Sequence, residues 1–569
     1  MQKLNEPSRE KQHNFLLSLI IASAFIIIYS FSAQYGGDGT NDDFAIGIAL
    51  SGRIPEANMS LFVNAAFCNI VALLNQGIPD INWFWLIERF IAFASLSSLL
   101  FVGLEKHNEH PALLVLAACA CVLLLAGCTY QGNFSYVASF ATVAGGVVLL
   151  IGIKTPYSAN YKKPLTAIGV SLMVIGFSIR IESFLLFMPF FFAAIIWAVL
   201  SDFKSHSISI YKYIPIVAVV ACCIALFSYD QIVWNSNTEL SHWKQYNHAR
   251  SVISDYPMPP YEDAAEQLSN YGVSENDYFM LRNWITADSA VFTAETLENV
   301  ASLTTTQSIT GKIQMLPQST VDYLLRLSNE GLLLGFIALH VILIAQSKSG
   351  RALSLSSFSI LLALALCIYF VATGRFPQRV EYPLWVYAFS IITIEFTPRS
   401  HLRDTSFCAF WKGAASFCLL FAFAAQIPAF SIHEIKSSFT QTTLSPQDAL
   451  LEYEADYPDD VFVFDVETYT SVEMAFKEKN LPSSDFLTHN ATLGGWSVES
   501  PYYISRNEIM GSSSILKSLA DSDSFHLLTT NPSVCDTIGL FLNEHYKIDP
   551  QVTIKATPLD GVYLCDFHA

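Results

Sequence analysis

Apolar residues run in long blocks, separated by short polar breaks, through most of this 569-residue chain. Blocks near the length a helix needs to cross a bilayer, about 17–25 residues, fall at 14–33, 83–104, 112–128, 137–153, 163–179, 184–200, 213–231, 331–346, 354–373, 384–397 and 409–428. The segment 59–77 is apolar enough to join them but carries Asn64, Asn69 and Asn75. Basic residues decide its place, because Lys and Arg accumulate in cytoplasmic loops. With 59–77 not spanning, Lys3, Arg9, Lys11, Lys106, Lys154, Lys162, Lys163, Lys204, Lys212, Lys348, Arg351, Arg399, Arg403 and Lys412 all fall on one side. The pattern therefore predicts an α-helical multi-pass protein of the plasma membrane with eleven spans. Its N-terminus, 1–13, is cytoplasmic and its C-terminus extracytoplasmic. Segments 41–52 and 59–77 are expected to lie along the outer interface as amphipathic helices. Met1–His13 is polar, and the run from Phe15 lacks a small-residue cleavage site, so the first helix is expected to stay as an anchor.

Two large polar stretches interrupt the 14–430 membrane region or follow it. Residues 232–330 are rich in Tyr, Asn, Asp and Ser and predict a helical insert on the outer side. Residues 431–569 alternate helical stretches with strand-like runs, Val461-Phe-Val-Phe464 and Phe525-His-Leu-Leu528, and predict an extracytoplasmic α/β domain. No internal repeat is visible.

Composition supports this division. The chain is 52% hydrophobic and only 14% charged, with mean hydropathy +0.39, where a soluble protein carries about 25% charged residues. The net charge of −18 is concentrated at the end: 429–569 holds 7 Lys/Arg against 21 Asp/Glu. Such a chain offers no basic surface for nucleic acid. Nine of the eleven cysteines lie in or beside apolar runs and read as small packing residues. Cys535 and Cys565 fall in the outer domain, where an oxidising compartment would let them pair.

The stretch Gln34-Tyr-Gly-Gly-Asp38-Gly-Thr-Asn41-Asp42-Asp43 then stands out. Three carboxylates follow directly on a membrane helix, where desolvating them is costly, and glycines let the loop fold back toward the membrane face. The same face collects Arg53, the Glu88-Arg89 pair, Tyr130 and Asn133, Arg180 and Glu182, and Arg375, Arg379 and Glu381. The insert opens with Gln245-Tyr-Asn-His-Ala-Arg250, followed by Asp255-Tyr256. Arginines at helix mouths suit a phosphate. Facing carboxylates suit a general base or a divalent cation such as Mg or Mn, with Asp42 and Asp43 as its possible ligands. Each residue has a plainer role open to it. Interfacial arginines snorkel, Glu88–Arg89 can be a helix-to-helix pair, Asp42–Asp43 can cap the helix from Phe44, and Tyr130 and Asn133 can simply pack. His340 reads as a core histidine. There is no P-loop, Cys-x-x-Cys, His-Glu-x-x-His or Gly-x-Ser-x-Gly, and Asn-x-Ser/Thr at Asn58, Asn133 and Asn490 is weak.

One span, an outer loop bearing acids, two interface helices and many further spans resemble the GT-C-type membrane glycosyltransferases over roughly 14–430. Asn41-Asp42-Asp43 and the Asn247-x-x-Arg250-x-x-x-x-Asp255-Tyr256 pattern are also similar to bacterial multi-pass envelope proteins. The resemblance implies a polyprenyl-phosphate sugar donor and a catalytic base or metal-holding acid at Asp42 or Asp43, with Asp38 as second candidate. It further implies phosphate contact by Arg180, which precedes Phe184-Leu-Leu-Phe-Met-Pro189, joined by Arg375, Arg379 and Arg250. Glu182, Tyr130, Asn133, Glu88 and Arg89 are candidate substrate contacts. The chain lacks the Asp-Glu pair of protein mannosyltransferases, so sugar and acceptor do not carry over. The expected function is transfer of a sugar to an envelope glycan or lipid on the outer face. Alternatives are a lipid-linked oligosaccharide polymerase or ligase, and a transporter or flippase, which would place ionisable groups midway along its spans.

Overall fold

The computed structural model describes residues 6–32, 42–106, 120, 133–154, 159–204, 210–304, 309–328, 330–346, 350–395, 446–473, 481–559 and 561–569. Among them, six helices are long and apolar enough to cross a membrane: Trp83–Glu105, Phe134–Ile153, Lys162–Ile179, Ile181–Lys204, Ile214–Ser236 and Leu355–Ala372. The expected spans 14–33, 331–346 and 384–397 also fall on helices, Glu6–Ser32, Gly331–Gln346 and Gln378–Glu395. Spans 112–128, apart from position 120, and 409–428 lie outside the described residues.

The Phe134–Lys154 helix is the hub. It is apolar all round, and its membrane-length stretch is wholly buried by neighbouring helices, the pattern expected of a helix with no solvent- or lipid-facing side. Its closest partner is Ala159–Ile179, and glycines set the distance. A Cβ on Gly145 would meet the Gly169 carbonyl oxygen at 2.7 Å, and one on Gly169 would meet Leu149 at 2.9 Å. Helices in lipid associate through such close backbone approach, since there is little hydrophobic drive between them. Gly169→Leu is accordingly expected to force these backbones apart, at about 1–3 kcal/mol or more. The check is the yield of monodisperse protein after detergent extraction, which should fall sharply.

Ala65–Gly77 is 13 residues long, about 20 Å at 1.5 Å per residue, too short for a hydrocarbon core of about 30 Å. Polar groups hold its start in place. Asn64 Oδ1 accepts from Ala66 N–H at 3.0 Å, and Asp230 accepts from Ala65 N–H at 2.9 Å. Asp42–Ala49 departs from the expected interface helix. Its side chains from Asp43 to Ala49 are mostly buried, because Phe44-Ala-Ile-Gly-Ile-Ala49 has no polar face to give to an interface.

The C-terminal part carries a five-stranded mixed sheet in the order β2-β1-β3-β5-β4. The strands are β1 (Val461–Phe464), β2 (Asn490–Thr492), β3 (Phe525–Thr529), β4 (Gln551–Ala556) and β5 (Tyr563–His568). β1 pairs parallel with β2 and β3, whereas β5 runs antiparallel to β3 and β4. The two runs read as strands from the sequence are β1 and β3. Val461-Phe-Val-Phe464 is buried throughout, as a continuous apolar run in a parallel sheet should be.

The insert and the C-terminal part share one core, in which Tyr246, Leu281 and Phe292 pack with Val463, Leu527 and Phe541. The insert contributes the helices Thr238–Asp255, Tyr261–Asn270, Glu275–Arg282, Ala294–Ala301 and Ile309–Leu327. Polar contacts close the seam. Thr286 and Ala287 N–H groups both donate to the Leu493 carbonyl, at 2.7 and 3.0 Å. Trp243 Nε1 donates to the Trp496 carbonyl at 2.9 Å, and His545 Nε2 lies 2.9 Å from Asp277 Oδ1. Trp496 also meets Phe62 of the helical region, ring centroids 5.2 Å apart. Arg53 adds a strut, its guanidinium donating to the Leu481 carbonyl at 2.9 Å and to Pro482.

Candidate active site

A cavity of about 410 Å³ opens where these three parts meet. The helical region supplies Asp42, Phe62, Arg180, Arg375 and Arg379; the insert supplies Asn247, Arg250, Asp255 and Trp284; the C-terminal part supplies Tyr469, Thr492 and the loop Gly494–Ser497. Four guanidiniums thus face two carboxylates.

Each arginine is held differently. Arg180 occupies the one-residue break between Ala159–Ile179 and Ile181–Lys204. Its guanidinium lies over the rings of Phe134 and Phe62, 4.8 and 5.5 Å from their centroids, and 3.4 Å from Glu182. Arg250 is buried, stacked 4.5 Å over Trp284, and donates through Nε and Nη2 to Asn247 Oδ1 at 3.0 and 2.9 Å. Burial lowers its pKa to about 10, against the pull of Asp255, so it stays cationic at neutral pH. Arg375 pairs with Asp255 at 2.8 Å. Arg379 has no salt bridge among the described residues, and its charge acts on Asp42 and Arg180.

The two described acids of the first loop part company. Asp42 opens onto the cavity, with no hydrogen bond or salt bridge among the described residues. Burial raises its pKa, while Arg379 and Arg180 pull it back down. Asp43 turns inward and is 6% exposed. Its Oδ1 accepts from Phe134 N–H at 2.6 Å, capping the hub helix. Burial, the neighbouring Glu88 carboxyl and Asp42 push Asp43 well above the ordinary carboxylate range. Among the described residues Asp43 Oδ2 and Glu88 Oε1 are buried without a further hydrogen-bond partner, which fits a proton shared between the two carboxyls.

The remaining sequence candidates are distributed as follows. Asp38 and Tyr130 lie outside the described residues. Asn133 is buried off the cavity lining and caps the hub helix, accepting from Ser135 N–H at 2.8 Å. Glu88 and Arg89 are buried in the Trp83 helix, Glu88 beside Asp43 and Arg89 5.2 Å over the Trp85 ring. Glu182 is exposed and reaches the site through its pairing with Arg180. Glu381 is buried against Arg326, away from the cavity lining.

The sequence reading did not single out Trp284, Tyr469, Thr492 or Gly494–Ser497. Two carry a backbone sign. Trp284 has φ 65° and Gly495 φ 100°, the left-handed region that costs a non-glycine residue energy and recurs at functional sites. Nothing local in the sequence places either beside Asp42.

The fold and cavity define a helical membrane protein with an acid-and-arginine cavity at one polar end. No family model and no curated protein matches the chain. It is similar to ArnT from Cupriavidus metallidurans in the apo state, at 8% identity over 96% of this chain and 97% of that one, TM-score 0.39. The same protein bound to undecaprenyl phosphate gives 10% identity over the same shares, TM-score 0.37. At these identities and TM-scores no residue role passes across to this chain.

Proposed function

We propose that this chain is a membrane glycosyltransferase moving a sugar from a polyprenyl-phosphate donor to a hydroxyl of an envelope glycan or lipid, at the outer face. The observation that carries the reading is the Asp42 carboxylate, without a hydrogen bond or salt bridge among the described residues, in a cavity lined by Arg180, Arg250, Arg375 and Arg379. Asp42 takes the acceptor proton as its oxygen attacks the anomeric carbon. The carbon–phosphate-oxygen bond breaks on the opposite side, inverting the centre. Charge then grows on the departing lipid phosphate, and guanidiniums already oriented toward it stabilise that state without reorganising. Arg379 has the greatest freedom to do this, because Glu182 and Asp255 partly neutralise Arg180 and Arg375.

A divalent cation does not belong to this proposal. Among the described residues the cavity offers two carboxylates, one tied to Arg375, beneath four guanidiniums, a donor set that repels Mg or Mn. The cavity also sits at the small end for ligand pockets, about 300–1,000 Å³. It suits one sugar better than the long glycan of an oligosaccharide ligase. A transporter would need ionisable groups midway along its spans, and none of the charges lining the cavity lies midway along a described membrane-length helix.

The test is transfer of radiolabelled sugar from polyprenyl-phosphate donors in membranes carrying the protein. Arg379→Gln is expected to lower kcat about 100-fold, the cost of removing one preorganised charge stabiliser. Full transfer by that variant would rule out its role at the phosphate; no transfer by wild type from any such donor would overturn the reaction class.

A further inference from the structure

Cys535 lies in the first turn of the Ser533–Tyr546 helix, and Cys565 in the middle of β5, paired with Leu527 of β3. The two are 30 residues apart in sequence, yet their sulfurs are 2.7 Å apart. They are 1% and 0% exposed, inside the core shared with the insert. The other described cysteines, Cys68, Cys222, Cys223 and Cys367, all sit in apolar helices of the membrane region. These two are therefore the described thiols that belong to the acidic C-terminal part, and they face each other across a helix-to-sheet contact.

We propose that Cys535 and Cys565 are joined as a disulfide in the mature protein, stapling this helix to the central sheet. The inference rests on the outer-face placement of the C-terminal part, not on the transfer chemistry. The oxidant is a disulfide-bearing thiol oxidoreductase or a small-molecule disulfide of an oxidising compartment. One cysteine thiolate attacks the oxidant's disulfide and expels one thiolate. The second cysteine thiolate then attacks the mixed disulfide and expels the other. Two protons and two electrons leave the chain, and one oxidant disulfide becomes two thiols. Burial dictates when this happens. In the folded core no oxidant reaches either sulfur, and hydrogen bonding to Cys565 with burial holds the Cys535 thiol well above its ordinary pKa, so little thiolate is present. The bond forms while the domain is still closing, and once formed it is shielded from reductant.

The bond has a consequence for the site. The helix it anchors also carries Glu544 and His545, which hold the insert by contacts of 2.8 Å to Ser274 and 2.9 Å to Asp277. The staple thus supports the seam that walls the cavity.

Differential alkylation of the full-length protein tests this. Cells are quenched in acid and dissolved in denaturant with light iodoacetamide, then reduced and treated with the heavy reagent before peptide mass spectrometry. Cys535 and Cys565 are expected to carry only the heavy label, and Cys222 and Cys367 only the light one. In Cys535→Ser, Cys565 should switch to the light label, which excludes another partner for it. Light label on both cysteines of the wild type would overturn the proposal, as would heavy label on Cys565 in the variant. Because the wild type alone decides the first outcome, poor folding of the variant does not rescue the idea. Transfer activity with free thiols would sink the staple and leave the proposed reaction standing.

Discussion

Asp42→Asn is expected to lower sugar transfer by about 100-fold or more, the usual share of a positioned general base, while Asp43→Asn keeps the fold and most of the activity. The two acids are chain neighbours, yet only Asp42 opens on the cavity. An amide at 42 keeps the shape and removes the basicity. An amide at 43 still offers an oxygen to Phe134 N–H and donates a hydrogen to Glu88 where the acids had to share a proton. Measuring kcat for both variants in the radiolabel assay separates them, and undiminished transfer by Asp42→Asn would sink the base assignment. The pH profile carries a second signature. Asp42 works deprotonated and its pKa is raised, so the rate should climb with pH through a range above that of an ordinary carboxylate. Arg379 lowers that pKa, so Arg379→Gln should move the rising limb to higher pH. Stability behaves separately. Asp43 has a raised pKa in the folded state, so its contribution is fully present below the unfolded pKa and is lost as pH rises through the folded one. Asp43→Asn should remove that part of the destabilisation on raising pH, read as a flatter Tm-versus-pH curve.

Gly494→Ala is expected to have the largest effect of any single methyl group added near the cavity. A Cβ there would overlap the Trp284 carbonyl oxygen, and the neighbouring Val466 side chain lies 3.3 Å away. Neither side has room to yield: Thr286 and Ala287 are hydrogen-bonded to Leu493 immediately before the glycine, and Trp284 already holds a left-handed backbone. Overpacking against a fixed backbone costs about 1–3 kcal/mol and often more. The insert should then separate from the C-terminal part at this seam, with Arg250 losing its Trp284 platform. Protease nicking between 286 and 300, together with loss of transfer, would report it. A variant with wild-type protease resistance and activity would show that the seam can shift without cost.

The helices of the membrane region were legible because their physics is local. A bilayer demands a long apolar run with internally satisfied backbone, and each such run stands in the sequence as a block. The basic loops likewise placed 59–77 off the spanning path, in line with its 13-residue helix. The strands β1 and β3 were readable from their apolar runs. The gathering of Arg180, Arg250, Arg375 and Arg379 was readable only as a shared side of the membrane, since periodicity says which end of a helix a residue occupies and not which neighbour it meets.

Three parts of the site had no such signal. Trp284, Tyr469 and Gly494–Ser497 reach the cavity through an interface between segments some two hundred residues apart, and pairing over that separation is a property of the packed core. Asp43 and Glu88 looked like site residues because charge beside hydrocarbon is conspicuous; burial against each other and a helix N-terminus gives them their role instead. Composition and block pattern by themselves determined a multi-pass helical protein with a polar insert, an acidic C-terminal part and an acid loop after the first helix, because hydrophobic burial and charge placement act residue by residue. Which acid faces the arginines was decided only by tertiary structure. Neighbouring residues on a helix point about 100° apart, and only the surrounding fold determines which of those directions is the cavity.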